Sequence, residues 1–239
     1  MVIIIPTYNE SLVITETIEV VFSALNSVAN NFDVHILIFD SASTDNTQEL
    51  VKSMQMNTPK LHLQTEKHKS GLGSAYLQAM RYALVHLSAD IVVEYDADLS
   101  HKPEYLAPML NLIQDCDVVV GSRYIPGGTI PDNWGWHRKI LSKWGNFLIR
   151  NVLKMPYSDL TSGFRMIRKY ALKTALPAQF ISAQFAYKIE LYWHLHHNDF
   201  KIKEYPIHFI DRTKGESKLP KGSIVDSLSV LYMLLIKSR

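Results

Sequence analysis

Two aspartates separated by one residue, Asp96-Ala97-Asp98, follow the strand-like run 91–95. Alternate side chains of an extended chain point to the same side, so both carboxylates can reach one hard divalent cation. Mg²⁺ or Mn²⁺ prefers oxygen ligands and is commonly bound by one or two carboxylates together with substrate phosphates. The pair therefore suggests a site that handles a diphosphate. A pair of exposed turn aspartates is the alternative, and the position directly after a buried strand favours the cation. Arg123, Arg138 and Arg212 each flank a loop, where a guanidinium can fork onto phosphate oxygens, although each taken singly reads as a surface arginine.

Other candidates carry less. Gly71-Leu72-Gly73-Ser74 has Tyr76 where a dinucleotide fingerprint needs its third glycine, so it reads as a turn and helix start rather than a phosphate cradle. Lys67, His68 and Lys69 form a charge run able to attract anions or simply to face solvent. Of His194, His196 and His197, only the first and last share a helical face, and no acidic residue is expected to complete it, so they read as structural or surface histidines.

The elements that must position these residues alternate along the first half: β-branched runs at 2–5, 34–39, 61–63, 91–95 and 118–120, separated by helical patterns. That order predicts an α/β fold with a mainly parallel, doubly wound sheet and helices on both faces. Ligands of open α/β sheets lie beyond the carboxyl ends of the strands, which places one site over Glu10, Asp40, Asp96 and Asp98. Residues 124–137, with Pro126, Gly127, Gly128, Pro131 and Gly135, break any regular period. Beyond them a helix over 138–154, a loop over 156–163, a helix over 184–197 and a β-like stretch over 201–210 are expected.

On the 138–154 helix, Lys139, Lys143, Arg150 and Lys154 fall within roughly 60° of one another at ~100° per residue. Ile140, Trp144, Phe147, Leu148 and Val152 occupy the adjoining arc. Two readings stay open: a helix lying in an anionic membrane interface, or one packed on the sheet with a solvated basic face. Residues 227–236 are more apolar than a surface helix requires, so 220–239 reads as a membrane- or partner-facing helix.

The composition is that of a folded domain: 239 residues, 47% hydrophobic and 20% charged. With 25 basic and 23 acidic residues the formal charge is +2, so no global basic field argues for nucleic acid. The single cysteine, Cys116, excludes an intramolecular disulfide and a cysteine-based zinc cage, and is expected in the core near a strand. No secretory leader and no span of ~20 apolar residues is expected, so membrane contact would be peripheral.

Taken in order, Pro6-Thr7-Tyr8-Asn9-Glu10, Asp40-Ser41-Ala42-Ser43-Thr44-Asp45, Gly71-Leu72-Gly73, Asp96-Ala97-Asp98-Leu99-Ser100-His101 and Gly121-Ser122-Arg123-Tyr124 resemble an inverting GT-A glycosyltransferase of family two. Ser158-Asp159-Leu160-Thr161-Ser162-Gly163-Phe164-Arg165 and Asp211-Arg212-Thr213-Lys214-Gly215-Glu216-Ser217-Lys218-Leu219 resemble its dolichyl-phosphate (polyprenyl-phosphate) mannosyltransferase branch. The resemblance implies a GT-A (Rossmann-like) fold in one domain over 1–219, with a nucleotide-sugar half (1–123) and an acceptor half (124–219). It implies Mg²⁺- or Mn²⁺-dependent transfer of mannose from GDP-mannose to a polyprenyl phosphate at the cytoplasmic face of a membrane, with peripheral attachment or a small membrane subunit.

Residue by residue, Pro6, Tyr8, Glu10, Phe39, Asp40 and Ser41 match the nucleotide pocket, and Asp96, Ala97 and Asp98 the diphosphate and metal site, with Ser100 at a third metal position. Arg123, Arg212 and Lys218 match phosphate contacts, Arg138 a second acceptor arginine, and Asp159 a proposed base. Asp98, Asp159 and Arg123 are thus the implied catalytic set. The chain departs from the family pattern at Ser41, where an acidic residue is usual, and at Asn46, where glycine is. A hydroxyl cannot supply a carboxylate's charge-assisted pairing with a guanine N–H. UDP-glucose or another sugar nucleotide, a non-lipid acceptor, and a non-catalytic binding homologue therefore stand as alternatives.

Overall fold

The computed structural model describes residues 1–26, 32–212 and 222–237. Its centre is a seven-stranded sheet of β1 (Val2–Thr7), β2 (His35–Asp40), β3 (Leu61–Thr65), β4 (Ile91–Glu94), β5 (Val118–Ser122), β6 (Arg165–Arg168) and β7 (Ile202–Pro206), in the order β3-β2-β1-β4-β6-β5-β7. The expected parallel sheet is present, with one exception. β6 runs antiparallel to both β4 and β5, while the remaining pairs are parallel.

Buried β-branched runs with both faces covered give these strands. Ile3 and Ile5 pack against α1 (Ile14–Leu25), α2 (Thr47–Gln55) and α4 (Leu106–Leu112). Val2 and Ile4 face the opposite core, built with α3 (Leu72–Val85), α6 (Lys169–Ala175), α7 (Tyr187–His197) and α8 (Ser223–Lys237). Each such fully buried aliphatic side chain contributes about 1.5–3 kcal/mol. Cys116 is buried just ahead of β5, as its place in the sequence suggested.

β6, a four-residue strand with arginine at both ends, is not among the strands expected from the sequence. Arg165 is buried there because Glu94, its register partner on β4, receives it through Nε and Nη2, the latter at 2.8 Å. Tyr187 Oη donates to the same carboxylate at 2.8 Å, and Arg165 Nη1 donates to the Lys188 carbonyl at 2.8 Å. Being antiparallel, β6 starts at the edge where its parallel neighbours end, and so delivers segment 159–164 to that edge.

α5 (Trp136–Val152) ends before Lys154, which follows it with φ 53°. Asn146 and Ile149 are its buried residues. Trp136, Ile140, Leu141, Trp144, Phe147 and Leu148 are exposed, so the helix does not lay its apolar arc on the sheet. α8 buries Val230, Leu231 and Leu234 in the core and exposes Ile224, Val225, Leu228, Tyr232, Met233 and Ile236. No helix among the described residues is long and apolar enough to cross a membrane.

Candidate active site

The carboxyl ends of β2, β1 and β4 and the start of β6 follow one another along the sheet edge and border a cavity of about 360 Å³. The chain leaves β1, β2 and β4 through non-glycine residues in the left-handed region, Asn9 (φ 54°), Ala42 (φ 59°) and Leu99 (φ 58°). Such turns cost energy and cluster where the fold must re-aim side chains. Pro6, Tyr8, Glu10, Ser41, Asp96, Ala97, Asp98, Ser100, Arg123, Arg138 and Arg212, all singled out from the sequence, line this one cleft.

Phe39 and Asp40 do not line it. Phe39 packs in the core toward α3. The Asp40 carboxylate is fully buried and is consumed by the Thr7 hydroxyl (2.7 Å), the Ser43 amide and hydroxyl (2.9 and 2.6 Å) and the Gln48 amide (2.7 Å). It fixes the loop that carries Ser41, whose amide donates to Thr7 O at 2.9 Å. Asp159 is also withdrawn: it is fully buried, beneath Arg123. Lys218 lies outside the described residues.

The glycines at 71 and 73 serve packing. A Cβ on Gly71 (φ +104°) would meet Ala183 O at 2.3 Å, and one on Gly73 would meet Ser182 O at 2.7 Å. Lys69 places its ammonium 3.5 Å over the Tyr8 ring at the cleft. His197 stacks on Trp193 at 4.0 Å. Contrary to the sequence reading, an acidic residue does flank the histidines: Glu190 Oε1 lies 3.7 Å from His194 Nε2, one turn earlier on the same helix, although its other oxygen accepts the Ile181 amide at 2.7 Å.

Asp96 and Asp98 end β4 with different partners. His101 Nε2 is 3.3 Å from Asp96 Oδ2. Asp98 Oδ1 accepts the Ser100 amide at 3.1 Å and Oδ2 pairs with Arg212 at 2.8 Å. Burial works to raise the Asp96 carboxyl, but Lys188, the His101 hydrogen bond and Arg212 together hold it well below the usual carboxylate range. The ionised Asp96 and the arginine-paired Asp98, both opening on the cleft, make an all-oxygen donor set that fits a hard divalent cation.

Arg123 forms the opposite wall. Its Nε and Nη2 fork onto Asp159 at 2.7 Å each, its own amide donates to the same carboxylate at 3.0 Å, and Nη2 also reaches Thr161 Oγ1 at 2.9 Å. Burial would raise the Asp159 carboxyl, yet the Arg123 charge and hydrogen bonds, with Thr161, hold it below its ordinary value. Both Asp159 oxygens are thus engaged in holding Arg123. Arg123 also lines a second cavity, about 570 Å³, whose wall includes Lys139, Lys143, Asn146, Phe147 and Arg150 of α5. Arg138 lies 3.7 Å over the Trp134 ring and 3.6 Å from Asp211.

Lys188, Trp134 and Phe209 also stand on the cleft wall, none of them expected there from the sequence. Lys188 had a signal: a lysine amid Phe185-Ala186-Tyr187 and Ile189, in a helix that buries residues on every side.

The sheet order, the acidic pair at the end of β4 and the cleft above it define a GT-A type α/β transferase fold. Solved structures of glucosyl-3-phosphoglycerate synthase from Mycobacterium tuberculosis share it: one with Mn²⁺, UDP and phosphoglyceric acid superposes with a TM-score of 0.68 at 16% identity, covering 98% of this chain and 77% of that one. Another, with Mn²⁺, UDP-glucose and phosphoglyceric acid, gives 0.66 at 18%, covering 98% and 78%. Residues 2–176 match glycosyl transferase family 2, and the chain belongs to that family and is a glycosyltransferase. It is 34% identical over 228 residues to the polyprenol monophosphomannose synthase of Mycolicibacterium smegmatis, covering 95% of this chain and 83% of that protein. It is 32% identical over 225 residues to the undecaprenyl-phosphate mannosyltransferase of Micrococcus luteus, covering 94% and 89%.

Proposed function

We propose that the protein transfers mannose from GDP-mannose to a polyprenyl phosphate, with inversion, at the cytoplasmic face of a membrane. The observation that carries the reading is the place of Arg123: one guanidinium borders both the carboxylate-bearing cleft and the basic α5 cavity. The cleft suits the donor, with Ser41, Tyr8 and Glu10 toward the nucleoside. The second cavity, with cations but Phe147 at its rim, suits a phosphate carrying an apolar tail. The names of the two curated relatives support the same acceptor class.

In this reading a phosphate oxygen of the acceptor attacks the anomeric carbon as the bond to the diphosphate breaks. The acceptor is already anionic, so no base is needed to generate the nucleophile. The barrier lies in bringing two like-charged phosphates together and in the charge of the leaving group. Asp96 and Asp98 would hold Mg²⁺ or Mn²⁺, whose charge offsets that of the departing diphosphate. Arg123, held by Asp159, faces the acceptor phosphate, and Arg138 and Arg212 add fixed positive charge along the cleft. Asp159 is then a positioning residue. The exposed apolar side chains of α5 and α8, with Lys139, Lys143 and Arg150 beside them, would rest on an anionic bilayer, where each basic residue contributes about 1 kcal/mol.

Sugar transfer into a butanol-extractable lipid tests the reading, comparing GDP-mannose with UDP-glucose, each with polyprenyl phosphate in anionic vesicles and Mn²⁺. Mannose transfer that EDTA abolishes is expected, falling severalfold when Lys139, Lys143 and Arg150 are replaced by glutamine. Transfer from UDP-glucose alone would replace the donor, and no transfer from either would overturn the reading. An unchanged rate in the glutamine variant would remove the membrane role of α5.

A further inference from the structure

Lys188 is nine-tenths buried, yet its side chain lines the cleft. Among the described residues its ammonium makes no hydrogen bond and no ion pair within 4 Å; its nearest aromatic ring is Phe185, at 5.6 Å. A buried ammonium is costly unless something compensates it. What neighbours it across Gly163 is the Asp96 carboxylate. The position is built deliberately. The Lys188 carbonyl is held by Arg165, itself fixed by Glu94, and the ammonium fills the space that a side chain at residue 163 would take. A Cβ on Gly163 would lie 2.2 Å from Lys188 Nζ and 3.6 Å from Asp96 Oδ2.

Sheet order fixes where along the cleft this charge lies. From β2 through β1 and β4 to β6, the edge presents Ser41, then Tyr8 and Glu10, then Asp96 and Asp98, and last Gly163 with Lys188. If the nucleoside occupies the β2 and β1 end, as the proposed function has it, Lys188 stands past the aspartates, where the distal phosphate and the sugar must lie.

We propose that Lys188 is a donor-site residue whose ammonium binds the distal (β) phosphate of the sugar nucleotide from the β6 side of Asp96. It supplies a permanent cation to the leaving diphosphate, alongside the one the aspartates would hold. The inference rests on the donor reading above. Two consequences oppose each other in sign. Removing the ammonium weakens diphosphate binding when no metal is present, and it also removes a cation that repels Mn²⁺ from Asp96, so the carboxylate pair binds Mn²⁺ more tightly.

The test is calorimetric titration of the full chain with GDP and UDP, each against its monophosphate, and with GDP-mannose, in EDTA and then across a Mn²⁺ series. Lys188→Met keeps the length of the stem and removes the charge. For whichever diphosphate the wild type binds, the variant is expected to bind about 10- to 100-fold more weakly in EDTA, the range of a lost charge-assisted hydrogen bond. The monophosphate is expected to change by less than about 3-fold, and half-saturation is expected at a lower Mn²⁺ concentration. A merely structural defect would not split the two nucleotides or move the Mn²⁺ requirement downward.

Gly163→Ala gives a second route should the methionine variant fold poorly. It keeps the lysine but drives the flexible ammonium from its place, and is expected to weaken diphosphate binding in the same selective way. Equal losses for monophosphate and diphosphate, or no loss in either variant, would overturn the proposal while leaving the donor reading intact. A loss seen with GDP-mannose but not with GDP would overturn the phosphate contact in favour of the sugar. Failure of the wild type to bind either diphosphate with Mn²⁺ would remove the donor reading and this inference with it.

Discussion

Two arginine–carboxylate pairs are built the same way in two regions of the molecule. Arg165 forks onto Glu94 in the middle of the sheet, and Arg123 forks onto Asp159 at the cleft wall, each through Nε and Nη2. The difference is the remaining amino group. Arg165 spends Nη1 on the Lys188 carbonyl, and its partner also accepts Tyr187, so every donor is turned inward. Arg123 Nη1 makes no hydrogen bond among the described residues, and the side chain borders two cavities. A forked pair serves the fold when its last donor meets the protein, and a ligand when that donor meets a cavity.

The same substitution, arginine to lysine, breaks the symmetry. Lysine keeps the charge but loses the planar fork. At position 165 it leaves Glu94 and the Lys188 carbonyl short of donors in a site with no exposure, so unfolding free energy is expected to fall by about 3 kcal/mol. Turnover per folded molecule should fall less than for the change at position 123, because Arg165 reaches the cleft only through the Lys188 carbonyl. Denaturant titration with an active-site-normalised rate checks this. A melting point equal to wild type would show that Arg165 is not what holds the sheet centre.

At position 123 the larger effect is on rate. Asp159 keeps the backbone amide of residue 123 and the Thr161 hydroxyl as donors, so stability should fall by only about 1 kcal/mol. Loss of the guanidinium facing both cavities should lower kcat/KM for transfer about 10²-fold, close to the cost of removing one preorganised donor from a transition state. A lysine variant with full transfer activity would cancel the distinction between the two pairs.

These pairs also mark what was legible in the sequence. The parallel strands could be read because both faces are buried, so Val2-Ile3-Ile4-Ile5 and Val118-Val119-Val120 are unbroken apolar runs. β6 could not, because Arg-Met-Ile-Arg shows its charge while hiding the Glu94 that neutralises it, 71 residues away. Most of the cleft was legible because strand ends in such a sheet converge by topology alone. Asp40 misled because a carboxylate at a strand end looks the same whether it faces the cleft or its own loop; only Thr7, Ser43 and Gln48 in three dimensions decide. Lys188 comes to the cleft from α7, which no strand-end rule reaches. The apolar arc of α5 was visible, but whether it packed inward or stood exposed depended on neighbours that the helix period does not name.

The smallest expected effect sharpens the account of Asp159. Its carboxyl titrates below its ordinary value in the folded chain because Arg123 and Thr161 stabilise the charged form against burial. A carboxylate depressed by folding contributes stability above its unfolded pKa, about 3.9, and that contribution drains away as pH falls through the folded value. Asp159→Asn cannot titrate. The variant should be less stable than wild type by about 2 kcal/mol at neutral pH, the worth of hydrogen bonds to a charged group, and the two stability curves should converge below about pH 4. Asp96 is also depressed, and Asp45, held to about 2 by Thr47 and Ser11 against its burial, falls in the same window. Both groups remain in both proteins, so their acid limbs cancel in the difference and the convergence reports Asp159. Urea titrations at intervals from pH 7 to 3 measure it. A gap that stays constant would mean that Asp159 holds Arg123 through shape and neutral hydrogen bonding, and that the cleft pair does not depend on its charge.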